Sequence, residues 1–287
     1  MKAPPFDYHR PQSLPEALEL LREADARVLA GGQSLVPMLN FRLLAPTALV
    51  DINGLEELRG IAIEGGRLSF GAMARQREIE RHAGLAQIAP IFAQAVREIG
   101  HRQTRNRGTI GGSLCHLDPS AELPMLCILH DATLTIQSAG GSRRVAVRDF
   151  IQGDMSPGLD AGEMLTRIEM DAWPQGHAFA FLEHARRAGD YAMSSAACLL
   201  TFDGQGAITR AAICVGGLGD RPARLTHAEQ SLLGARPDEQ LFAQVAEEVE
   251  RLPAEGSIHA SAPFKRQIAR TLVRRALASA CATMVTA

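Results

Sequence analysis

Two glycine pairs, each followed by a hydroxyl side chain, are the residues of this chain best suited to bind an anion. The first lies in residues 30–35 (AGGQSL) and the second in residues 109–114 (TIGGSL). Glycine permits positive φ angles and carries no Cβ, so the backbone N–H groups that follow can approach a phosphate. The hydroxyls of Ser34, Thr109 and Ser113 can donate to phosphate oxygens. One pair alone fits an ordinary turn, but two pairs predict a ligand with two phosphates held between two loops, as in a dinucleotide.

The elements around the first glycine pair form a β–α–β pattern. Residues 27–30 are typical of a short strand, residues 35–39 of a helix, and residues 48–52 of the next strand. An earlier helix begins after Ser13, which with Glu16 fits a capping box. The first pair therefore lies where a strand turns into a helix. Neither pair fits the Gly-x-Gly-x-x-Gly or Walker pattern, so a Rossmann or P-loop fold is not supported.

The remaining periodicity predicts an α+β fold of three units. The units are residues 1–55, 56–175 and 176–287, with the glycine pairs in the first two. The predicted strands are 68–72, 132–137, 143–147, 178–186, 194–202 and 208–215, and the predicted helices are 76–81, 90–99, 122–130, a stretch near 230, 238–251 and 263–280.

Composition excludes several classes of protein. A net charge of −2 and 5% aromatic residues argue against nucleic-acid binding. The basic run 101–107 remains compatible with a contact to ligand phosphates, a contact to a partner subunit, or a solvated loop. The chain shows no membrane-spanning apolar stretch and no signal-peptide core, so we expect a cytoplasmic protein. The five cysteines lack Cys-x-x-Cys spacing, which predicts free thiols and no metal site in this chain.

Three motifs resemble those of one family, the FAD-binding medium subunits of molybdenum hydroxylases, which include relatives of xanthine dehydrogenase and carbon monoxide dehydrogenase. The motifs are residues 30–37 (AGGQSLVP), 105–124 (RNRGTIGGSLCHLDPSAELP) and 186–192 (RRAGDYA). They occur in the family's order, and the resemblance covers nearly the whole chain. It implies two α/β FAD-binding subdomains of the vanillyl-alcohol-oxidase type that hold FAD between them. It also implies a C-terminal α+β domain with an antiparallel sheet.

The resemblance assigns residues to the cofactor. The two glycine segments are expected to hold the pyrophosphate and the neighbouring sugar groups, and the positions after the second segment are expected to make polar contacts. For His116 and Asp118 a simple loop hydrogen bond stays an alternative, and Tyr191, expected against the flavin ring, also fits a half-buried strand tyrosine. The expected FAD contacts are Leu29, Ala30, Gly31, Gly32, Gln33, Ser34, Leu35, Thr109, Ile110, Gly111, Gly112, Ser113, His116, Asp118, Glu122, Leu165, Glu183 and Tyr191.

Glu183 departs from the family pattern, in which many relatives carry a lysine before the Arg-Arg-x-Gly-Asp motif. A cation there could stabilise negative charge on a reduced flavin, and a carboxylate cannot. The departure puts in doubt a role for this position in tuning the flavin or binding NAD. Some members that act on N-heterocyclic substrates look similar here, which is a hint about the substrate of the complex.

No residue arrangement for acid–base or nucleophilic catalysis stands out in this chain, so we predict no catalytic residue of its own. The resemblance implies that a large molybdopterin subunit hydroxylates the substrate and that a small subunit with 2Fe–2S clusters passes electrons to FAD here. FAD then serves an external acceptor, and the complex is a heterotrimer or a dimer of heterotrimers. The alternatives are a self-sufficient flavin oxidoreductase of the same fold and a non-catalytic binding or assembly protein.

Overall fold

The computed structural model describes residues 2–23 and 25–282. Its strands are β1 (Asp7–His9), β2 (Ala26–Leu29), β3 (Ala48–Asp51), β4 (Ile61–Glu64), β5 (Arg67–Gly71), β6 (Thr133–Ser138), β7 (Gly141–Ala146), β8 (Ile151–Gly153), β9 (Ser156–Pro157), β10 (Met164–Asp171), β11 (Ala178–His184), β12 (Ser194–Phe202), β13 (Ile208–Gly216) and β14 (Ala223–Arg224). Its α-helices are α1 (Leu14–Leu20), α2 (Leu35–Asn40), α3 (Gln76–Arg81), α4 (Ala83–Ile88), α5 (Ile91–Glu98), α6 (Arg102–Arg107), α7 (Ile110–His116), α8 (Glu122–Leu129), α9 (Val147–Phe150), α10 (Thr226–Leu232), α11 (Glu239–Ala246) and α12 (Ala262–Ala282). Short 3₁₀ turns follow at Ile52–Gly54, Glu56–Leu58 and Glu247–Arg251.

The N-terminal unit is a three-stranded parallel sheet in the order β1-β3-β2. Strand β3 is buried at every position, as expected of a central strand in a parallel sheet. The predicted β–α–β crossover is confirmed, with the first glycine pair between β2 and α2. Strand β1, which no sequence signal predicted, pairs with the other edge of β3. The first glycine pair therefore lies at the carboxyl end of the parallel strands.

The predicted capping box at the start of α1 forms only in part. Ser13 Oγ accepts a hydrogen bond from Glu16 N at 3.4 Å, as expected of an N-cap. The Glu16 carboxylate instead accepts from the Gln12 backbone N–H at 2.7 Å, one residue earlier than in the reciprocal box.

The second unit is a five-stranded antiparallel sheet in the order β4-β5-β10-β6-β7, packed against α3, α5, α7 and α8. Strand β10 returns from far along the chain to lie between β5 and β6, pairing Arg167 with Gly71. Phe70 and Phe92 pack in its core with ring centroids 5.2 Å apart. Every residue of α8 is buried, which fits a helix that is hydrophobic on all sides and packed between the helices α5, α7 and α9 and the C-terminal sheet.

The second glycine pair lies in α7, and the prediction of a tight turn there is wrong. Thr109 is the N-cap, with extended backbone and its Oγ1 accepting from Gly112 N at 3.0 Å. Neither glycine adopts a positive φ. Gly111 is required for a different reason, because a Cβ there would lie 2.6 Å from the Ala72 carbonyl oxygen. Glycine has low helix propensity, but α7 packs tightly on the residues at the end of β5, and this tertiary packing outweighs the low propensity.

The C-terminal unit is a four-stranded antiparallel sheet, β11-β12-β13-β14, with α10, α11 and α12 on one face and α8 on the other. Alternate residues of β12 follow this division: Cys198 packs in the helical core, whereas Ala197 and Leu199 pack in the core of the second unit. The predicted fold class, α+β with an antiparallel C-terminal sheet, is confirmed. All five cysteines are free thiols, as predicted. Among the described residues, no helix has both the length and the apolar character to cross a bilayer.

Candidate functional site

A cleft of about 360 Å³ opens beside the first glycine pair. Gly32 has a φ of +72°, a left-handed conformation that L side chains rarely adopt. Within the described part of the chain, the backbone N–H groups of Gly32, Gln33 and Ser34 make no hydrogen bond. These amides are therefore available to an anion at the cleft. The cleft is lined by Leu29, Gly31, Gly32, Gln33, Val36, Pro37 and Arg107.

The two glycine segments lie against each other. A Cβ on Gly31 would lie 2.5 Å from the Arg107 carbonyl oxygen and 2.9 Å from Gly108 Cα, so only glycine permits this close backbone approach. A Cβ on Gly112 would lie 4.0 Å from Ala30 Cβ. The fold thus brings together residues about eighty positions apart in the sequence.

Arg75 and Asn53 join the strands and loops around this contact. Asn53 Nδ2 donates to the Ala30 carbonyl oxygen at 2.8 Å, and Arg75 Nη2 donates to Asn53 Oδ1 at 2.6 Å. Arg75 also donates to the Arg107 carbonyl oxygen. Burial, together with the neighbouring Arg107 and Arg59, lowers the pKa of Arg75. The guanidinium nevertheless stays charged at neutral pH, because the ordinary pKa of arginine is far above 7. We call this set of contacts the Arg75 bracket.

The sequence did not identify the Arg75 bracket as part of the site. Asn53 lies in a 3₁₀ turn and belongs to none of the motifs that resemble the family. Arg75 belongs to no motif, and it is the tertiary structure, through the backbone bridge to Thr109 and the hydrogen bond to the Arg107 carbonyl oxygen, that places it beside the second glycine segment.

The backbone N–H groups at the second glycine segment are already used within the protein, contrary to the expected anion-binding turn. Ile110 N donates to the Ala74 carbonyl oxygen at 3.1 Å, and Gly111 N donates to that of Ala72 at 2.9 Å. Gly112 N donates to the Thr109 cap. The first backbone N–H groups of α7 are hydrogen-bonded to the residues that follow β5 and to the Thr109 cap, so they are not free to bind an anion. What the segment presents to a ligand is glycine backbone without side chains.

A second group of expected residues lies where the α7–α8 loop meets the C-terminal unit. Ser120 Oγ donates to the Ala192 carbonyl oxygen at 2.8 Å, which holds the two loops together. Asp118 Oδ1 accepts from Ser120 N at 2.9 Å, and burial raises the pKa of Asp118. Tyr191 is 66% exposed, and its partial burial, followed by the acidic neighbours Asp118 and Glu122, raises its pKa.

Glu122 is a buried acidic residue, and Glu183 is a partly buried one. Glu122 is 9% exposed, and burial raises its pKa to about 8. Burial also raises the pKa of Glu183 to about 7, and its Oε2 is buried without a hydrogen-bond partner.

The other expected contacts divide between surface and core. His116 ends α7 and is half-buried. Ile110 and Leu165 are buried in the core of the second unit, where Leu165 pairs with Ile136 across β10 and β6. The structure thus forms two groups from the expected residues, one at the cleft and one at the contact of the α7–α8 loop with the C-terminal unit.

Comparisons with known proteins cover almost the whole chain. Residues 4–173 match the family model for the FAD binding domain in molybdopterin dehydrogenase, and residues 179–280 match that for the CO dehydrogenase flavoprotein C-terminal domain. The chain is 39% identical over 283 residues to the 6-hydroxypseudooxynicotine dehydrogenase complex subunit alpha of Paenarthrobacter nicotinovorans, covering 98% of this chain and 96% of that protein. It is 35% identical to the carbon monoxide dehydrogenase medium chain of Afipia carboxidovorans, covering 95% of both. A chain of the crystal structure of quinoline 2-oxidoreductase from Pseudomonas putida 86 superimposes with a TM-score of 0.95 at 37% identity over 99% of both chains.

Proposed function

The chain belongs to the family of FAD-binding medium subunits of molybdenum hydroxylases, and we propose that it is the electron-transfer subunit of such a complex. The predicted family and cofactor are confirmed. In the proposal, the chain takes electrons from a small 2Fe–2S subunit and passes them to an external acceptor. A separate molybdopterin subunit hydroxylates the substrate.

The contact between the two glycine segments is the observation that carries the proposal. The free amides of Gly32, Gln33 and Ser34 suit the diphosphate of FAD, because they supply positive partial charge at a cleft that Arg107 also lines. The surface at Gly112 lets the ligand approach without a side chain in between. Bound FAD supplies the redox chemistry, and the protein groups bind and orient it.

The flavin end of the site belongs to the second group of residues in this proposal. Tyr191 offers an exposed ring as a platform, and Asp118 and Glu122 lie within electrostatic reach of it. Leu165 is buried on β10, the central strand of the second sheet. We therefore keep the full set of expected FAD contacts as the proposed site.

The partners are proposed from the relatives. Their names, medium chain and complex subunit alpha, describe members of multi-subunit enzymes. We propose a heterotrimer, or a dimer of heterotrimers, with a large molybdopterin subunit and a small 2Fe–2S subunit. The quinoline-oxidising relative supports an N-heterocycle as the substrate class of the complex.

Expression of the full chain with FAD tests the proposal against its alternatives. We expect a yellow protein whose flavin is reduced by light with a sacrificial donor and reoxidised by an artificial acceptor. Quinoline added to the isolated chain should leave the flavin oxidised. Flavin reduction by quinoline without the partner subunits would favour a self-sufficient oxidoreductase, and a colourless protein after FAD addition would favour a binding or assembly role.

Substitution of Arg75 tests the bracket. We expect Arg75→Ala to weaken FAD binding about tenfold, equivalent to about 1.4 kcal/mol, because the two glycine segments lose the group that joins them. The free energy of unfolding should fall by about 1–3 kcal/mol, since Asn53 Oδ1 and the Arg107 carbonyl lose a charged donor. FAD titration and urea unfolding measure the two effects.

Arg67→Ala is the matched control. Arg67 makes an exposed ion pair with Asp171 at 3.7 Å, and such pairs contribute about 0–1 kcal/mol. Equal effects of the Arg75 and Arg67 substitutions on FAD binding would show that the bracket does not organise the site.

A further inference from the structure

Asp51 is a buried carboxylate at the end of β3, beside the Arg75 bracket. It is 8% exposed and is the N-cap of the 3₁₀ turn that contains Asn53. Its Oδ1 accepts hydrogen bonds from the Asn53 backbone N–H at 2.9 Å and from Asn53 Nδ2 at 2.5 Å. One carboxylate oxygen therefore holds Asn53 by both its main chain and its side chain.

Tyr8, on β1, holds the second oxygen of this carboxylate. Its phenolic hydroxyl donates to Asp51 Oδ2, and this hydrogen bond raises the pKa of Tyr8, so the phenol keeps its proton. Burial acts to raise the pKa of Asp51, but the hydrogen bonds from Tyr8 and Asn53 outweigh burial and hold that pKa below its usual value. Asp51 is therefore ionised at neutral pH and stays an acceptor for Asn53.

The orientation of the Asn53 amide follows from these contacts. Nδ2 donates to Asp51 and to the Ala30 carbonyl oxygen, the latter at 2.8 Å, which leaves Oδ1 to accept from Arg75 Nη2 at 2.6 Å. The reversed amide would place Oδ1 against the Asp51 carboxylate and Nδ2 against the Arg75 guanidinium, an acceptor against an acceptor and a donor against a donor. Asp51 thus favours the one orientation in which Asn53 joins Ala30 to Arg75.

The Ala30 carbonyl group connects this arrangement to the cleft. It belongs to the peptide unit before Gly31, and the free amides of Gly32, Gln33 and Ser34 follow directly. A loop that is ordered before its ligand arrives loses less conformational freedom on binding. A group that fixes the Ala30 carbonyl therefore strengthens the binding of an anion at these amides.

We infer that Asp51 is a positioning residue for the FAD diphosphate, because it holds Asn53 in the orientation that fixes the peptide unit before the first glycine pair and binds Arg75. The inference rests on the proposed function, since FAD is the ligand. Asp51 acts through Asn53, and Tyr8 holds the Asp51 carboxylate in place.

FAD titration of the full chain, followed by flavin fluorescence, tests the inference with two variants of Asp51. Asp51→Ala removes the acceptor for Asn53, and we expect FAD binding to weaken about tenfold, the factor that one hydrogen bond to a charged group can supply. Asp51→Asn keeps an oxygen that can accept from Asn53, so it should bind FAD as the wild type does.

Phosphorus NMR of bound FAD gives a signature that a loss of stability alone does not change. The two phosphorus resonances report the surroundings of the diphosphate, which the free amides of the first glycine segment provide in this proposal. We expect the resonances to shift in Asp51→Ala and to keep their wild-type positions in Asp51→Asn.

Asp203→Ala is the matched control. Asp203 caps the β12–β13 turn in the same way, since its Oδ1 accepts from Gln205 N at 2.8 Å and from Ala207 N at 2.9 Å. The variant loses a capping carboxylate far from the glycine segments. It should lower the thermal unfolding temperature and leave both the FAD affinity and the phosphorus resonances unchanged.

The double variant Asp51→Ala/Arg75→Ala shows whether the two residues act through Asn53. Independent effects on FAD affinity would multiply to about 100-fold, whereas residues of one hydrogen-bond network are coupled. We expect the loss in the double variant to stay well below that product.

Asn53→Asp is the second variant, which decides the matter if Asp51→Ala does not fold. It keeps the shape of Asn53 but places a carboxylate oxygen against Asp51 and the Ala30 carbonyl oxygen, so FAD binding should again weaken about tenfold.

Four results overturn the inference while FAD binding itself stands. They are wild-type affinity in a folded Asp51→Ala or Asn53→Asp variant, a loss in Asp51→Asn as large as that in Asp51→Ala, a loss of the same size in Asp203→Ala, and multiplied losses in the double variant. A wild-type chain that binds no FAD contradicts the proposed function as well.

Discussion

The Gly32→Leu variant is expected to lose at least about 100-fold in FAD affinity, equivalent to about 2.7 kcal/mol, while it remains folded. A Cβ at this position lies 3.3 Å from both Leu29 Cδ1 and Val36 Cγ2, two atoms of residues that line the cleft. The added side chain therefore enters the space that the diphosphate needs. Because Gly32 has a φ of +72°, the substitution also costs about 1–2 kcal/mol in backbone strain.

Gly206→Leu separates that strain from the effect on the ligand. Gly206 has a φ of +81° in the β12–β13 hairpin turn, and a Cβ there meets no atom within 4 Å. We expect a similar loss of stability and unchanged FAD affinity. The two variants are compared by FAD titration and thermal unfolding, and wild-type affinity in Gly32→Leu would mean that the ligand does not use this cleft.

The Arg224→Ala variant is expected to lose about 3–5 kcal/mol in the free energy of unfolding, because it leaves a buried acidic group without its charged partner and with the Ile213 backbone N–H as its remaining donor. Arg224 Nε and Nη2 donate to the two carboxylate oxygens of Glu229 at 2.6 and 2.7 Å, and Glu229 is 9% exposed. Arg224 Nη1 also donates to the carbonyl oxygens of Ile128 and Leu129 at 3.3 and 3.2 Å. The substitution thus opens the end of α8, which packs against the C-terminal sheet.

Arg148→Ala is the control for this prediction. Arg148 and Arg224 each form an ion pair with Asp131 at 3.2 Å, but the Arg148 side chain is 67% exposed and that of Arg224 only 17%. We expect a change of about 0–1 kcal/mol for Arg148→Ala. If urea unfolding gives similar losses for both variants, burial of the Arg224–Glu229 pair is not what stabilises the contact between the second and C-terminal units.

Much of the fold could be predicted from local sequence patterns. Strand β12 and helix α3 have the predicted bounds, and the β–α–β crossover around the first glycine pair is present because hydrophobic strands and a turn between them determine it locally. The error at α7 has a physical reason. Gly111 and Gly112 have low helix propensity, so the sequence alone does not indicate a helix there. The structure shows that Gly111 packs so closely against Ala72 that no side chain fits, and this packing accounts for glycine within the helix.

Only those parts of the site that lie within a family motif could be predicted from the sequence. The resemblance placed the two glycine segments in one site, and the contact between Gly31 and the Arg107–Gly108 backbone shows how they meet. The Arg75 bracket depends on residues from separate elements and has no sequence signature. The burial of Glu122 likewise depends on long-range packing, in which β12 and β13 of the C-terminal sheet lie against α8, and no local sequence pattern records it.

Purification of the native complex through a tag on this chain tests whether the chain is the FAD subunit of a molybdenum hydroxylase. We expect FAD, molybdenum and iron to elute together with two further subunits, and the FAD to stay with this chain when the complex is dissociated. A complex that contains molybdenum and iron but leaves this chain without flavin, or a chain that elutes alone with FAD and no metal-containing partner, would contradict it.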